Sequence, residues 1–171
     1  ASCTTQVVNT NVITGKLKGK LVVKSGEAVE LTSTAVAKAI EVQPGGSLDV
    51  EGASTKAIKA SGASVIRICG AKTGGIKISG SSGPVVIGDS EGCAGNTIAA
   101  GGVNLSGNTA GVSVVGNNVS GAVKVANNSG GATVTGNTIA KNLTVTGNSG
   151  TVVDAPNTVG GKSKLQAKRL R

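Results

Sequence analysis

The stretch Gly131 to Gly150, GATVTGNTIAKNLTVTGNSG, aligns without a gap on the twenty residues before it, Gly111 to Gly130, GVSVVGNNVSGAVKVANNSG. Val114 falls on Val134, Val125 on Val145, Asn117 on Asn137 and Asn128 on Asn148. Within each copy the aliphatic residues alternate at a period of two and are interrupted every few positions by Gly or Asn. That is the pattern of short strands and turns, and it leaves no room for a helical stripe.

Working outward, the same alternating pairs run along the chain. One series is Leu21/Val23, Ile40/Val42, Ile58/Ala60, Ile76/Ile78, Val103/Leu105, Val123/Val125 and Leu143/Val145, with steps of 19, 18, 18, 27, 20 and 20 residues. A second reads Val29/Leu31, Leu48/Val50, Ile66/Ile68, Pro84/Val86, Val112/Val114, Ala132/Val134 and Thr151/Val153. A third, shorter series is Ile98, Val119, Ile139 and Val159, with Ala53 and Ala71 at the corresponding earlier places. Three short strands per repeat of 18 to 20 residues predict an all-β coil with three walls, its aliphatic set inward and Lys, Thr, Ser and Asn outward. Seven to eight such coils of parallel strands, a β-solenoid, fit in the chain.

Asparagines mark the corners. Asn96, Asn117, Asn137 and Asn157 form one row, and Asn108, Asn128 and Asn148 another. Asn tolerates the left-handed conformation of a tight bend, and stacked amides hydrogen-bond from coil to coil. Composition agrees with a repeat fold. The 171 residues include no Phe, Trp, Tyr or Met, so the core must be thin and built from Val, Ile, Leu and Ala. The 28 glycines are not spaced every third position, which excludes a collagen-like chain.

The segments RICG (Arg67 to Gly70), GPVVIGDSEGCAGNTI (Gly83 to Ile98), the repeated VTGN and the end SGTVVDAPNTVGGKSKLQ carry a resemblance. They resemble a group of secreted, Gly/Asn/Thr-rich repeat proteins of actinobacteria whose repeats are similar to right-handed parallel β-helices. The resemblance implies that fold, that handedness and a secreted or cell-surface location; it brings no activity with it. The general right-handedness of parallel crossovers points the same way. No apolar run approaches the roughly 18 to 20 residues of a spanning helix, and for a secreted chain Ala1 would follow a removed leader.

The long step of 27 residues locates an insertion near residues 89–94, DSEGCA, which contains Cys93. Cys69 follows the inward pair Ile66/Ile68 one coil earlier, and adjacent coils lie roughly 4.8 Å apart, so Cys69 and Cys93 are the expected disulfide. Cys3 is then left free, bound to another chain or lipid-modified.

The chain has no His, the commonest general base and a usual zinc ligand. Of the acids only Asp89 and Glu91 are close neighbours inside the insertion. They offer at most a weak calcium site, with Arg67 a distant base. A polysaccharide-binding or polysaccharide-cleaving β-helix is therefore the alternative reading, and no catalytic residue, metal or cofactor is assigned. GGKS at Gly160 to Ser163 fails as a phosphate loop because its first glycine would fall on Pro156. An ice-binding surface, the third reading, would use the pairs Thr133/Thr135 and Thr144/Thr146, but one coil back these become Ser113/Val115 and Lys124/Ala126.

Charge is the remaining signal. The chain carries a net charge of +9. Lys16, Lys18, Lys20 and Lys24 crowd one end, while Lys162, Lys164, Lys168, Arg169 and Arg171 crowd the other. The sequence divides into one β-helix domain, 1–160, and a basic C-terminal tail, 161–171, whose five cations are the candidate polyanion-binding residues. Anionic cell-envelope polymers, or further copies of the chain stacked end to end, are the expected partners. Without aromatic side chains to stack on bases, sequence-specific nucleic-acid recognition is not expected. The predicted function is a structural or interaction solenoid without catalysis.

Overall fold

The computed structural model describes residues 10–167. Two parallel sheets coil around a single aliphatic core, and the described residues contain no helix. The first sheet has eight strands: β1 (Thr10–Ile13), β3 (Ala28–Leu31), β5 (Ser47–Glu51), β7 (Val65–Cys69), β9 (Val85–Ile87), β11 (Val112–Val115), β14 (Ala132–Thr135) and β17 (Val152–Val153). The second is bent and covers the other two walls. On one of them lie β2 (Leu21–Val23), β4 (Ile40–Val42), β6 (Ile58–Ser61), β13 (Val123–Ala126), β16 (Leu143–Thr146) and β19 (Ser163–Lys164). On the other lie β12 (Asn118–Val119), β15 (Thr138–Ile139) and β18 (Thr158–Val159). Two long strands, β8 (Lys72–Ser79) and β10 (Thr97–Ser106), run across the bend and join the walls. The molecule is a β-solenoid, as the periodicity predicts.

Every strand pairs in parallel with its counterpart one coil away, and the register keeps inward residues stacked on inward residues. Val123 and Val125 lie on Leu143 and Val145 on one side and on Val103 and Leu105 on the other. The column Leu48, Ile66, Val85, Val112 is buried throughout. Each such side chain contributes roughly 1.5–3 kcal/mol through burial, which is how a core without aromatic residues accumulates enough apolar contact. Along the second sheet the column Ile40, Ile58, Ile76, Val103 does the same.

The structure corrects the predicted register at two turns. In the run Gly83–Pro84–Val85–Val86–Ile87 the inward pair is Val85/Ile87, paired with Ile66/Ile68, and Val86 faces out beside Arg67. Three consecutive β-branched residues permit either phase, and the pair Val85/Ile87 buries more apolar volume than Pro84/Val86. At the last turn Val152 stacks on Ala132 and Val153 turns outward, because the next inward position is taken by the buried carboxylate of Asp154. The third wall differs as well. Ile98 sits on Thr73, not on the alanine column, and Thr55 and Thr73 point inward with their hydroxyls donating to the carbonyls of Lys56 and Gly74. In the early coils this wall pairs only through single bridges, Lys16 to Val36, Val36 to Ser54 and Ser54 to Lys72.

Candidate functional site

Four features could carry function: the inserted loop, the corner rows, the C-terminal end and the outward faces. The insertion can be measured from the register. Ile68 lies three positions before Ala71, whereas the equivalent Ile87 lies nine before Asn96, so six residues are extra. They form a closed turn. The Asp89 amide donates to the Cys93 carbonyl, and the Asp89 carboxylate accepts from the amides of Glu91 and Cys93. Cys93 is thereby carried back over the preceding coil and bonded to Cys69, with 4.8 Å between the Cα atoms. The disulfide inferred from spacing is present and buried. Asp89 thus spends its carboxylate holding the loop, and Glu91 is exposed beside it. Cys3 lies outside the described residues.

At the corners the asparagines act through their side chains. Asn117 Nδ2 donates to the carbonyl of Ile87 one coil before and to Asn137 Oδ1 one coil after, while its own Oδ1 accepts from the amide and Nδ2 of Asn96. Each interior asparagine of the row therefore ties three coils together. The second row repeats this through Asn108, Asn128 and Asn148. The expected left-handed backbone belongs to the residue before, namely Gly107 (φ 64°), Gly116 (φ 71°), Gly136 (φ 68°) and Gly147 (φ 66°). Asn127 (φ 57°) takes the glycine's place before Asn128. With glycine or Asn127 making the bend, the following asparagine is left free to point inward.

The second row ends in a cap. Gln166 Oε1 accepts from the amide and Nδ2 of Asn148, Gln166 Nε2 donates to the Asn148 carbonyl, and the amides of Gln166 and Ala167 donate to Asp154 Oδ2. A cavity of about 360 Å³ opens at this end beside Leu143, Pro156, Val159 and Leu165. Lys164 pairs with Thr144 in the last coil, and the Lys162 amide donates to Asn142 Oδ1. Both side chains are exposed, while Lys168, Arg169 and Arg171 lie outside the described residues. The candidate threonine pairs stand on different walls, Thr133/Thr135 on β14 and Thr144/Thr146 on β16.

The outward faces divide by charge. On the first sheet Glu30, Asp49 and Arg67 stand in one row across β3, β5 and β7. The Arg67 guanidinium pairs with Asp49 at 3.4 Å and also with Glu51. Burial pushes the Asp49 carboxyl above its ordinary range, and Arg67 only partly offsets this. On the bent sheet Lys59 and Lys77 lie directly opposite each other on adjacent coils, and Lys72 stands on the strand that carries Lys77. Lys56 follows Lys38 at the bend through a bond from its amide to the Lys38 carbonyl. The acid in these rows is Glu41, held below the ordinary carboxylate range by a hydrogen bond and ion pair with Lys20 at 2.5 Å. The sequence shows the lysines as scattered; only the register assembles them into a face.

No protein-family model, curated protein or solved structure matches this chain.

Proposed function

We propose that the protein is a non-catalytic structural solenoid, secreted or held at the cell surface, that associates through charge with anionic envelope polymers. The observation that carries this reading is the set of exposed lysines on the outer walls of a coil built on one continuous aliphatic core, in a chain of net charge +9. Exposed ammonium groups on a surface of many aligned strands attract polyanions from a distance and hold them without shape-specific pockets. Lys162 and Lys164 at the last coil belong to this positive surface, and Lys168, Arg169 and Arg171 follow them in the sequence. The Cys69 to Cys93 disulfide suits an oxidising compartment, and the resemblance to secreted actinobacterial repeat proteins supports the same location. The occupied Asp89 carboxylate gives the polysaccharide-cleaving reading little to work with.

Cosedimentation with an anionic teichoic-acid preparation and with neutral dextran tests this reading. The protein is expected to pellet with the anionic polymer alone, and less so as salt rises, because each neutralised phosphate releases counterions. Binding to dextran, or binding that resists high salt, overturns it.

A further inference from the structure

Resting on that reading, we infer that the bent sheet of the first coils is the docking face for a flexible, linear polyphosphate-type anion lying along the solenoid axis. Lys18, Lys38, Lys56, Lys59, Lys72 and Lys77 are all exposed there. The register places them on neighbouring coils and on both sides of the bend: Lys59 beside Lys77 on one wall, Lys72 on Ser54 of the coil before on the other, and Lys56 after Lys38 at the bend between them. Like charges set directly opposite each other on adjacent strands are destabilising; Glu41, in register with Lys59 on the coil before, is bonded to Lys20 and offsets this only in part, and no ion pair among the described residues engages Lys77. A bound row of negative charge removes that repulsion.

The face also indicates which anion. Its cations are all lysines, compact point charges without the planar fork by which arginine matches a carboxylate in two bonds. The single described arginine is on the opposite sheet, engaged with acids. The chain has no aromatic side chain with which to stack a base. What remains is recognition by charge density along a line. Adjacent coils are spaced roughly 4.8 Å apart, so four coils present their ammonium groups over roughly 14 Å. A flexible chain of phosphates follows such a line; a polymer with one carboxylate per sugar ring meets fewer of its charges.

Binding of linear polyphosphate, measured by calorimetry at several salt concentrations, separates the possibilities. The variant K56Q/K59Q/K72Q/K77Q is expected to lose at least about tenfold in affinity at low salt and to flatten the dependence of log K on log salt by about 3. The tail variant K162Q/K164Q/K168Q/R169Q/R171Q is expected to lose less than the face variant. All substituted side chains that the structure describes are exposed, so circular dichroism and melting should match the wild type. As a second readout, polyphosphate should protect Lys59 and Lys77 of the wild type from amine acylation. If wild-type protein binds polyphosphate but the tail variant abolishes binding and the face variant retains it, the face is not the site while the wider reading stands. Unprotected Lys59 and Lys77 have the same consequence. Polygalacturonate bound as tightly as polyphosphate overturns the phosphate assignment. If the wild type binds no polyanion at all, both this inference and the proposed function fail.

Discussion

The coils before the inserted loop and the coils after it turn the same corners with different chemistry. Before the loop the corner places are held by Ala35, Ala53 and Ala71 in one row and by Ala63 and Ser81 in the other. After it they are held by asparagines whose amides run unbroken from Asn96 to Asn157 and from Asn108 to Gln166. The joints are visible: the Ala71 amide donates to Asn96 Oδ1 and the Ser81 amide to Asn108 Oδ1. The alanine corners rely on backbone bonds such as Lys72 to the Ala53 carbonyl and on small apolar contact. Surface chemistry changes along with the corners. Lys59 and Lys77 of the early coils give way in the same row to Asn104 and Thr144, with Lys124 between. The difference teaches that one backbone coil supports two kinds of corner, one polar with sparser charge on the outer faces, the other apolar with lysines and acids set on adjacent coils.

The strongest way to break this comparison is Asn128→Ala. It removes the acceptor of the Asn108 amide and Nδ2 and the donors to Leu105 and Asn148, leaving several buried polar atoms unmatched at about 1–3 kcal/mol each. A loss of about 3–5 kcal/mol in chemical denaturation is expected, against less than about 1 kcal/mol for Ala71→Gly in the alanine row. Equal losses would show that the ladder contributes no more than the alanines do. Next comes the double replacement Cys69→Ser with Cys93→Ser, which opens a loop of sequence separation 24 and should cost about 3 kcal/mol. Native-state hydrogen exchange should show the opening around β9 and the start of β10. An effect spread evenly over all coils would argue against a boundary there.

Smaller effects sharpen the picture on the early side. Ser81 stands at an asparagine place, yet its buried hydroxyl has no hydrogen-bond partner among the described residues. Ser81→Ala should be neutral or stabilising by up to about 1 kcal/mol, since burial of an unmatched hydroxyl is removed; a clear loss in melting temperature would reveal a hidden partner. The smallest effect concerns pH. Burial raises the folded-state value of Asp49 above 3.8, so the folded chain favours the protonated form and stability should decline as pH rises from there through the raised value. Glu41, lowered by Lys20, acts in the opposite sense: its contribution is present above 4.5 and is lost as pH falls through the depressed value. Asp49→Asn should remove the first slope and keep the second, as read from melting temperature between acid and neutral pH.

Period-two spacing was enough to place the coils, the seven aliphatic pairs of the bent sheet, the insertion and the Cys69 to Cys93 bond. It failed where local sequence permits two phases. Val85, Val86 and Ile87 are equally good inward residues, and Val152–Val153–Asp154 reads as an outward acid until Gln166 and Ala167 arrive to bind the carboxylate. The pair GN was legible as a corner, but its division of labour was not, because a sequence cannot show whether glycine or asparagine carries the positive φ. The lysine face was hidden for a similar reason. Lys56, Lys59, Lys72 and Lys77 are neighbours only through pairing across coils, and counting charges along the chain directs attention to the two ends instead.

One consequence of the three-coil asparagine bridge concerns growth of the molecule over generations. An interior rung accepts from the coil before and donates to the coil after by the same bonds, so an in-frame copy of Ser129 to Asn148 dropped behind its original would find all its partners waiting. Ser81 and Ala71 at one margin, and Gln166 with Asp154 at the other, would not notice the added length. The later half is thus a stretch of genome in which duplication is structurally silent, and the number of coils there is free to drift until something outside the protein measures its reach.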